Sequence, residues 1–129
     1  MKKIIIALLL LVAPVDARQT GLASYYSVRT NGGTHTASGQ RLNDKSMTAA
    51  HPTLRMGTAV KVRNLSNNRT VVVTINNRGP FAMTKQGRVI RPLRPHPKRI
   101  IDVTQGAARA LGFEKQGITR VRIEVIKKP

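Results

Sequence analysis

The chain predicts a small, mainly β protein, a compact barrel of short strands with one short helix packed on it. Three observations carry this expectation. Apolar residues recur with a period of two in several segments, only one segment shows a helical pattern, and the 129 residues suffice for one domain. Short strands that each bury one face do best by closing on themselves.

The elements follow in order. Gly21 to Ser27 is better suited to a strand than to a helix. Ala59-Val60-Lys61-Val62-Arg63 alternates, and Val71-Val72-Val73-Thr74-Ile75 is β-branched throughout, so both read as strands. Between them Asn64-Leu65-Ser66-Asn67-Asn68-Arg69 is rich in turn formers, which predicts a hairpin over residues 59–76. Residues 84–98 have no periodicity and gather Pro92, Pro95 and Pro97 with Lys85, Arg88, Arg91, Arg94 and Lys98, the composition of a loop or inserted arm. The helix is short, with Thr104 as its N-cap, Ala107, Ala108, Ala110 and Leu111 on its apolar side and Gly112 as its stop. Arg120 to Ile126 alternates cleanly and closes the series as a strand.

The first residues address the chain. Met1-Lys2-Lys3 is a basic start, Ile4 to Val12 an unbroken apolar run, and Val15-Asp16-Ala17 a small-residue cleavage signal, so residues 1–17 read as a secretory signal peptide and 18–129 as the mature domain. The apolar run is about half of the ~20 residues that a spanning helix needs, so no transmembrane anchor is expected after cleavage. The chain has no cysteine, which excludes both a disulfide and a lipid-modified N-terminal Cys. Without Lys2, Lys3 and Asp16 the mature domain holds 21 basic and 4 acidic residues, a charge of +17 with His neutral. Such a balance favours polyanionic partners and predicts salt-sensitive binding. Nucleic acid is disfavoured, because an exported chain meets little of it and the two Tyr and two Phe do not interleave with the basic residues as a stacking platform. Anionic cell-wall polymers or the carboxylates of peptidoglycan fit better.

Two stretches carry the chemistry: Thr36-Ala37-Ser38-Gly39-Gln40-Arg41 through Ala49-Ala50-His51, and Asn76-Asn77-Arg78-Gly79-Pro80-Phe81. Together with Gly21-Leu22-Ala23-Ser24-Tyr25-Tyr26, Pro52-Thr53-Leu54, Gly57-Thr58 and Arg99-Ile100-Ile101-Asp102, they resemble the ordered motif series of the rare lipoprotein A family. The resemblance spans essentially the whole mature chain. It implies a six-stranded double-psi β-barrel, and the activity of an endolytic peptidoglycan transglycosylase acting on glycan strands that lack stem peptides. It also implies a periplasmic or wall-associated, monomeric protein that needs no cofactor.

The family's pattern has an acid at the position of Gln40, histidine at His51 and an acid at the position of Asn77. Here only His51 matches. Glycosidic cleavage needs a proton delivered to the departing oxygen, and an amide has none to give, although it hydrogen-bonds sugar hydroxyls and acetamido groups well. The mature chain has four carboxylates: Asp44, Asp102, Glu114 and Glu124. Glu124 lies beside arginines in a strand, Glu114 follows the helix stop and reads as solvated, and Asp44 sits among turn formers. Asp102 is the candidate acid, after the apolar pair Ile100-Ile101 at a strand end, and it is placed as is a functional aspartate of related double-psi barrels, the expansins among them. Its alternative role is to satisfy the first amides of the helix that Thr104 opens. His51 either faces the groove, donating to a sugar hydroxyl or relaying a proton, or ties down a neighbouring loop. Arg78 either meets the substrate or pairs with Asp102 or a backbone carbonyl. Tyr25 and Tyr26 point to opposite faces of an extended segment, so one belongs to the core and the other is free to stack on a sugar ring. His35 and His96 have no second ligand at useful spacing, so no metal site is expected. Three functions remain open: a glycan-cleaving enzyme, a non-catalytic module that binds peptidoglycan or anionic polymer, and a secreted interaction protein that uses the arm at residues 84–98.

Overall fold

The computed structural model describes residues 17–30 and 35–129. Apart from Ala17, the leader expected over residues 1–17 lies outside the described residues. The chain forms six strands, β1 (Arg18–Tyr26), β2 (Thr48–Ala50), β3 (Ala59–Asn64), β4 (Thr70–Asn77), β5 (Arg99–Thr104) and β6 (Ile118–Lys127), and one helix, α1 (Gln105–Leu111), among the described residues. They close into a barrel in the order β1-β5-β2-β4-β3-β6. The pairs β1–β5 and β2–β4 are parallel and the remaining four are antiparallel. Closure pairs both edges of every strand and so leaves none open to another chain.

The expected hairpin is β3–β4, with Val60 opposite Val73 and Val62 opposite Val71. Period-two alternation sends Val60, Val62, Val73, Ile75, Ile101, Val103, Val121 and Ile123 into one core, which Ala107, Ala108, Leu111 and Phe113 complete from the helical side. Thr104 caps the helix by accepting a hydrogen bond from the Ala107 amide at 3.3 Å, and Gly112 ends it in the left-handed region at φ 81°, where a side chain is disfavoured. Glu114, expected to be solvated, instead receives hydrogen bonds from Arg109 and Gln105, each at 2.9 Å. Among the described residues no helix is long and apolar enough to cross a membrane.

Two connections bear on the site. The segment from Thr36 to Gln40 folds back against the end of β4, where the Ser38 amide donates to the Asn76 carbonyl at 3.1 Å. The arm after β4 is held by its own backbone, through Ala82 N–H to Arg94 O (2.9 Å), Ile90 N–H to Ala82 O (3.0 Å) and His96 N–H to Pro80 O (3.1 Å). It is therefore a folded excursion, without the side-chain period that would make it readable as strands.

The β3–β4 turn is pinned to the helix by one buried side chain. Asn64 donates to the Leu111 carbonyl at 2.9 Å and accepts from the Ser66 amide at 3.0 Å and the Thr119 hydroxyl at 2.9 Å. Replacing it by Ala removes three hydrogen bonds at once and leaves the Leu111 carbonyl only the Asn67 side-chain amide, at 2.9 Å. Asn64→Ala is expected to cost about 2–4 kcal/mol, read as a lowered midpoint in urea unfolding with an unchanged slope.

Candidate active-site groove

Two irregularities of register build the site. Along β1 and β5, Leu22 lies opposite Arg99 but Ala23 opposite Ile101, so Ile100 is an extra residue. Along β2 and β4, Ala49 lies opposite Ile75 but Ala50 opposite Asn77, so Asn76 is extra. An extra residue reverses the alternation of one strand beyond it and re-aims the side chains there. The inward positions Ala23, Ala49, Ile75, Ile101 and Val103 are fully buried. The outward row that results is Ser24, Asp102, Ala50 and Asn77 on four adjacent strands. Asp102 and Asn77 flank Ala50 and stand two strand spacings, about 10 Å, apart.

Asp102 is one-fifth exposed and is the carboxylate of this row. Its Oδ1 accepts from the Ser24 hydroxyl and from Arg99 Nη1 at 3.1 Å, and Arg99 Nη1 also donates to Ser24 Oγ at 2.7 Å. Oδ2 accepts no hydrogen bond from the described residues. The cap of α1 is left to Thr104, so the helix-capping alternative for Asp102 is not the one adopted. Arg99 is the residue the sequence reading missed.

Asn77 stands on the same row as this carboxylate, and Gln40 reaches β4 through Asn76. Asn77 Oδ1 accepts from the Ala37 and Arg78 amides, both at 2.9 Å. Gln40 Oε1 accepts from Asn76 Nδ2 at 3.1 Å, and its backbone carbonyl accepts from the Thr36 amide at 2.8 Å. Gln40 and Asn77 therefore hold the 36–40 segment as one wall of the groove.

Tyr25 and Tyr26 part as alternation requires. Tyr25 belongs to the core side, where its ring meets Phe113 edge-on at 6.0 Å and its hydroxyl donates to the Glu114 carbonyl at 3.0 Å. Tyr25 is thus the core member of the pair. Tyr26 stands on the groove side. Burial pushes its phenol up, the Thr48 and Asn77 side chains oppose the shift, and the charge of Asp102 adds to it. Among the described residues the Tyr26 hydroxyl and Asn76 Oδ1 are buried without a hydrogen bond of normal geometry, an unmet polar capacity that sites for polar ligands often hold.

His51 backs the groove. Its amide donates to the Asn77 carbonyl at 3.2 Å, while its ring is buried and committed. Nδ1 accepts from the Thr53 and Leu54 amides, both at 3.1 Å, which places the proton on Nε2, 3.2 Å from Gln19 Oε1. Burial, with the Arg78 guanidinium beside it, lowers the imidazole to about 4. Of the two roles read from the sequence, the geometry is that of the loop tie. Arg78 Nη1 donates to the His51 carbonyl at 3.1 Å and to the Leu54 carbonyl at 2.5 Å, the backbone-carbonyl alternative for that residue. Asn77 and Asp102 thus share one row, Gln40 joins it through Asn76, and His51 and Arg78 brace the Asn77 end. A cavity of about 350 Å³ opens beside His51 between Gln19, Leu54 and Pro95, and does not reach Asp102. Among the described residues no group of three His, Cys, Asp or Glu side chains is placed to hold a metal.

The family model described as "Lytic transglycolase" matches residues 18–123. The chain belongs to the lytic transglycolase family. Proteins named "Endolytic peptidoglycan transglycosylase RlpA" are similar to it: that of Rickettsia typhi is 44% identical over 110 residues, covering 84% of this chain and 30% of its own length. That of Haemophilus influenzae is 43% identical over 106 residues, covering 82% and 32%. The chain thus spans about a third of these relatives. The lytic transglycolase fold here is a double-psi β-barrel, shared with the Streptomyces papain inhibitor at a TM-score of 0.59 and 18% identity, covering 90% of this chain and all of that one. The expansin of Clavibacter michiganensis superposes with a TM-score of 0.52 and 20% identity, over 87% of this chain and 52% of that one.

The buried neutral His51 gives a pH test. Its folded value of about 4 lies below the ordinary 6.5, so the unfolded chain takes up the proton first. Its contribution to stability is complete above pH 6.5 and is lost as the pH falls from there through 4. The loss is on the order of 3 kcal/mol. Urea unfolding at pH 7 and pH 4 should show that loss in the parent chain and a smaller one in His51→Gln, with imidazole ¹⁵N shifts reporting the neutral Nε2–H tautomer at pH 7.

Proposed function

We propose that this chain is an exported domain that cuts peptidoglycan glycan strands by lytic transglycosylation, with Asp102 as the acid and then the base. The observation that carries this reading is the position of Asp102 in the groove row, with Oδ2 unengaged among the described residues. Membership in the lytic transglycolase family and the names of the relatives support it. Export rests on the leader at residues 1–17, and the proposed location is the periplasm or wall, with the protein acting as a monomer.

The chemistry balances with one carboxyl group. Protonated at Oδ2, Asp102 gives its proton to the glycosidic oxygen as the bond to the anomeric carbon breaks. The carboxylate then takes the proton of the same sugar's 6-hydroxyl as that oxygen closes on the anomeric carbon. An anhydro end forms, a free hydroxyl leaves on the other fragment, and no water is consumed. Ser24 and Arg99 hold Oδ1 and orient the group for both steps. Gln40 and Asn77 shape the wall and offer their amide donors to hydroxyl or acetamido groups, Tyr26 lies along the floor, and Arg78 and His51 keep the 52–54 loop in place.

A second reading is favoured by a specific observation. Both positions where the family pattern has acids carry amides, whose oxygens already hold the 36–40 segment. Such a groove can hold glycan without cutting it, and the high positive charge would add anionic wall polymer as a ligand.

One experiment separates the two. Incubation of residues 18–129 with sacculi stripped of stem peptides should release soluble fragments with anhydro ends, detected by mass spectrometry. Asp102→Asn should lower the release about 100-fold or more while sacculus binding persists. Binding with no fragments from the parent chain, together with fragments from a Gln40→Glu/Asn77→Asp variant, would establish the holding role instead.

A further inference from the structure

Across the barrel from the groove, β3 and β6 carry an unusual charge pattern. Their inward residues Val60, Val62, Val121 and Ile123 are buried, so Lys61, Arg63, Arg120, Arg122 and Glu124 face outward. Arg63 lies directly opposite Arg122, flanked by Thr70 on β4 and Thr20 on β1. In the next row Glu124 lies between Lys61 and Arg18. The face thus carries five cations, Arg18, Lys61, Arg63, Arg120 and Arg122, and one acid, and none of the five forms an ion pair within 4 Å among the described residues. Like charges directly opposite in a sheet are destabilising, and an uncompensated pair of them suits a surface that meets external negative charge.

The same face presents aliphatic side chains to solvent. Val72, directly opposite Lys61, is 49% exposed, and Ile126, the extra residue where β6 slips against β3, is also 49% exposed. A soluble polyanion would engage the cations and leave these side chains wet. An anionic lipid surface engages both, because the cations meet headgroup phosphates while the aliphatic tips enter the interface.

We propose that the β3–β6 face docks the domain on a bilayer rich in anionic phospholipid, with the Arg63–Arg122 pair at its centre. The groove over β1-β5-β2-β4 then points away from the lipid, toward whatever lies above the membrane. This surface shares no side chain with the groove row, so it stands or falls separately from the cleavage chemistry.

The test uses residues 18–129, which contain every strand of the closed barrel and omit the leader, itself able to bind lipid. Co-sedimentation with phosphatidylglycerol–phosphatidylcholine vesicles is compared with pure phosphatidylcholine vesicles and with retention on immobilised polyphosphate. The expected result is partition onto the anionic vesicles, none onto the zwitterionic ones, and release as salt rises. Arg63→Gln/Arg122→Gln should lower that partition about tenfold or more, with thermal stability equal to or above the parent's. Val72→Ser/Ile126→Ser should weaken vesicle binding and leave polyphosphate retention unchanged. Equal partition by the parent and the Arg63→Gln/Arg122→Gln variant would overturn the proposal. So would retention on polyphosphate with no vesicle binding, which would make the face a site for a soluble polyanion.

Discussion

Two slips of strand register, one at Ile100 and one at Asn76, determine what this barrel can do. Uninterrupted alternation would put Arg99 on the inward face with Ile101 and would leave Asn76, not Asn77, beside Ala50. With the slips, Arg99, Asp102 and Asn77 all arrive on the outward side of neighbouring strands. Both slips lie in the parallel pairs of the closed barrel, where each strand is fixed by a neighbour on either side, so neither can relax without breaking closure. Ala50, a small and buried residue, separates the carboxylate from the amide.

Rigidity around that row comes from backbone groups satisfied by side chains. Asn77 fixes the 36–40 segment from one side, and Arg78, next in the chain, fixes the His51 and Leu54 carbonyls from the other. His51 adds two acceptor contacts from a buried neutral ring. Three consecutive positions, Asn76 to Arg78, therefore reach the groove wall, its floor and its end. The amides at Gln40 and Asn77 keep the acceptor oxygens that these walls require, so the architecture is compatible with their presence even though they bring no proton.

Much of the fold was legible in the sequence because the hairpin β3–β4, the strand β6 and the helix α1 each carry a period that burial enforces. β2 was not, since Thr48-Ala49-Ala50 is three residues long and held only by its neighbours. The arm was legible as a break in pattern but not as a folded unit, because backbone hydrogen bonds hold it. In the site, Asp102 and the opposite facing of Tyr25 and Tyr26 followed from position along strands. Arg99 was hidden: residues three apart in a regular strand point to opposite faces, and only the slip at Ile100 brings Arg99 beside Asp102. The commitment of the His51 ring to its own loop was likewise hidden, since it depends on the fold of residues 52–54.

In the proposed function, glycan lies along the Ser24–Asp102–Ala50–Asn77 row. The direct measurement is a backbone amide NMR titration of residues 18–129 in the Asp102→Asn form with a soluble, stem-free glycan oligomer. Shifts concentrated at Ser24, Tyr26, Ala50, Asn77 and the 36–40 segment, with β3 and β6 unmoved, are the predicted result. Shifts confined to the cationic β3–β6 face, or to the cavity beside His51, would contradict it.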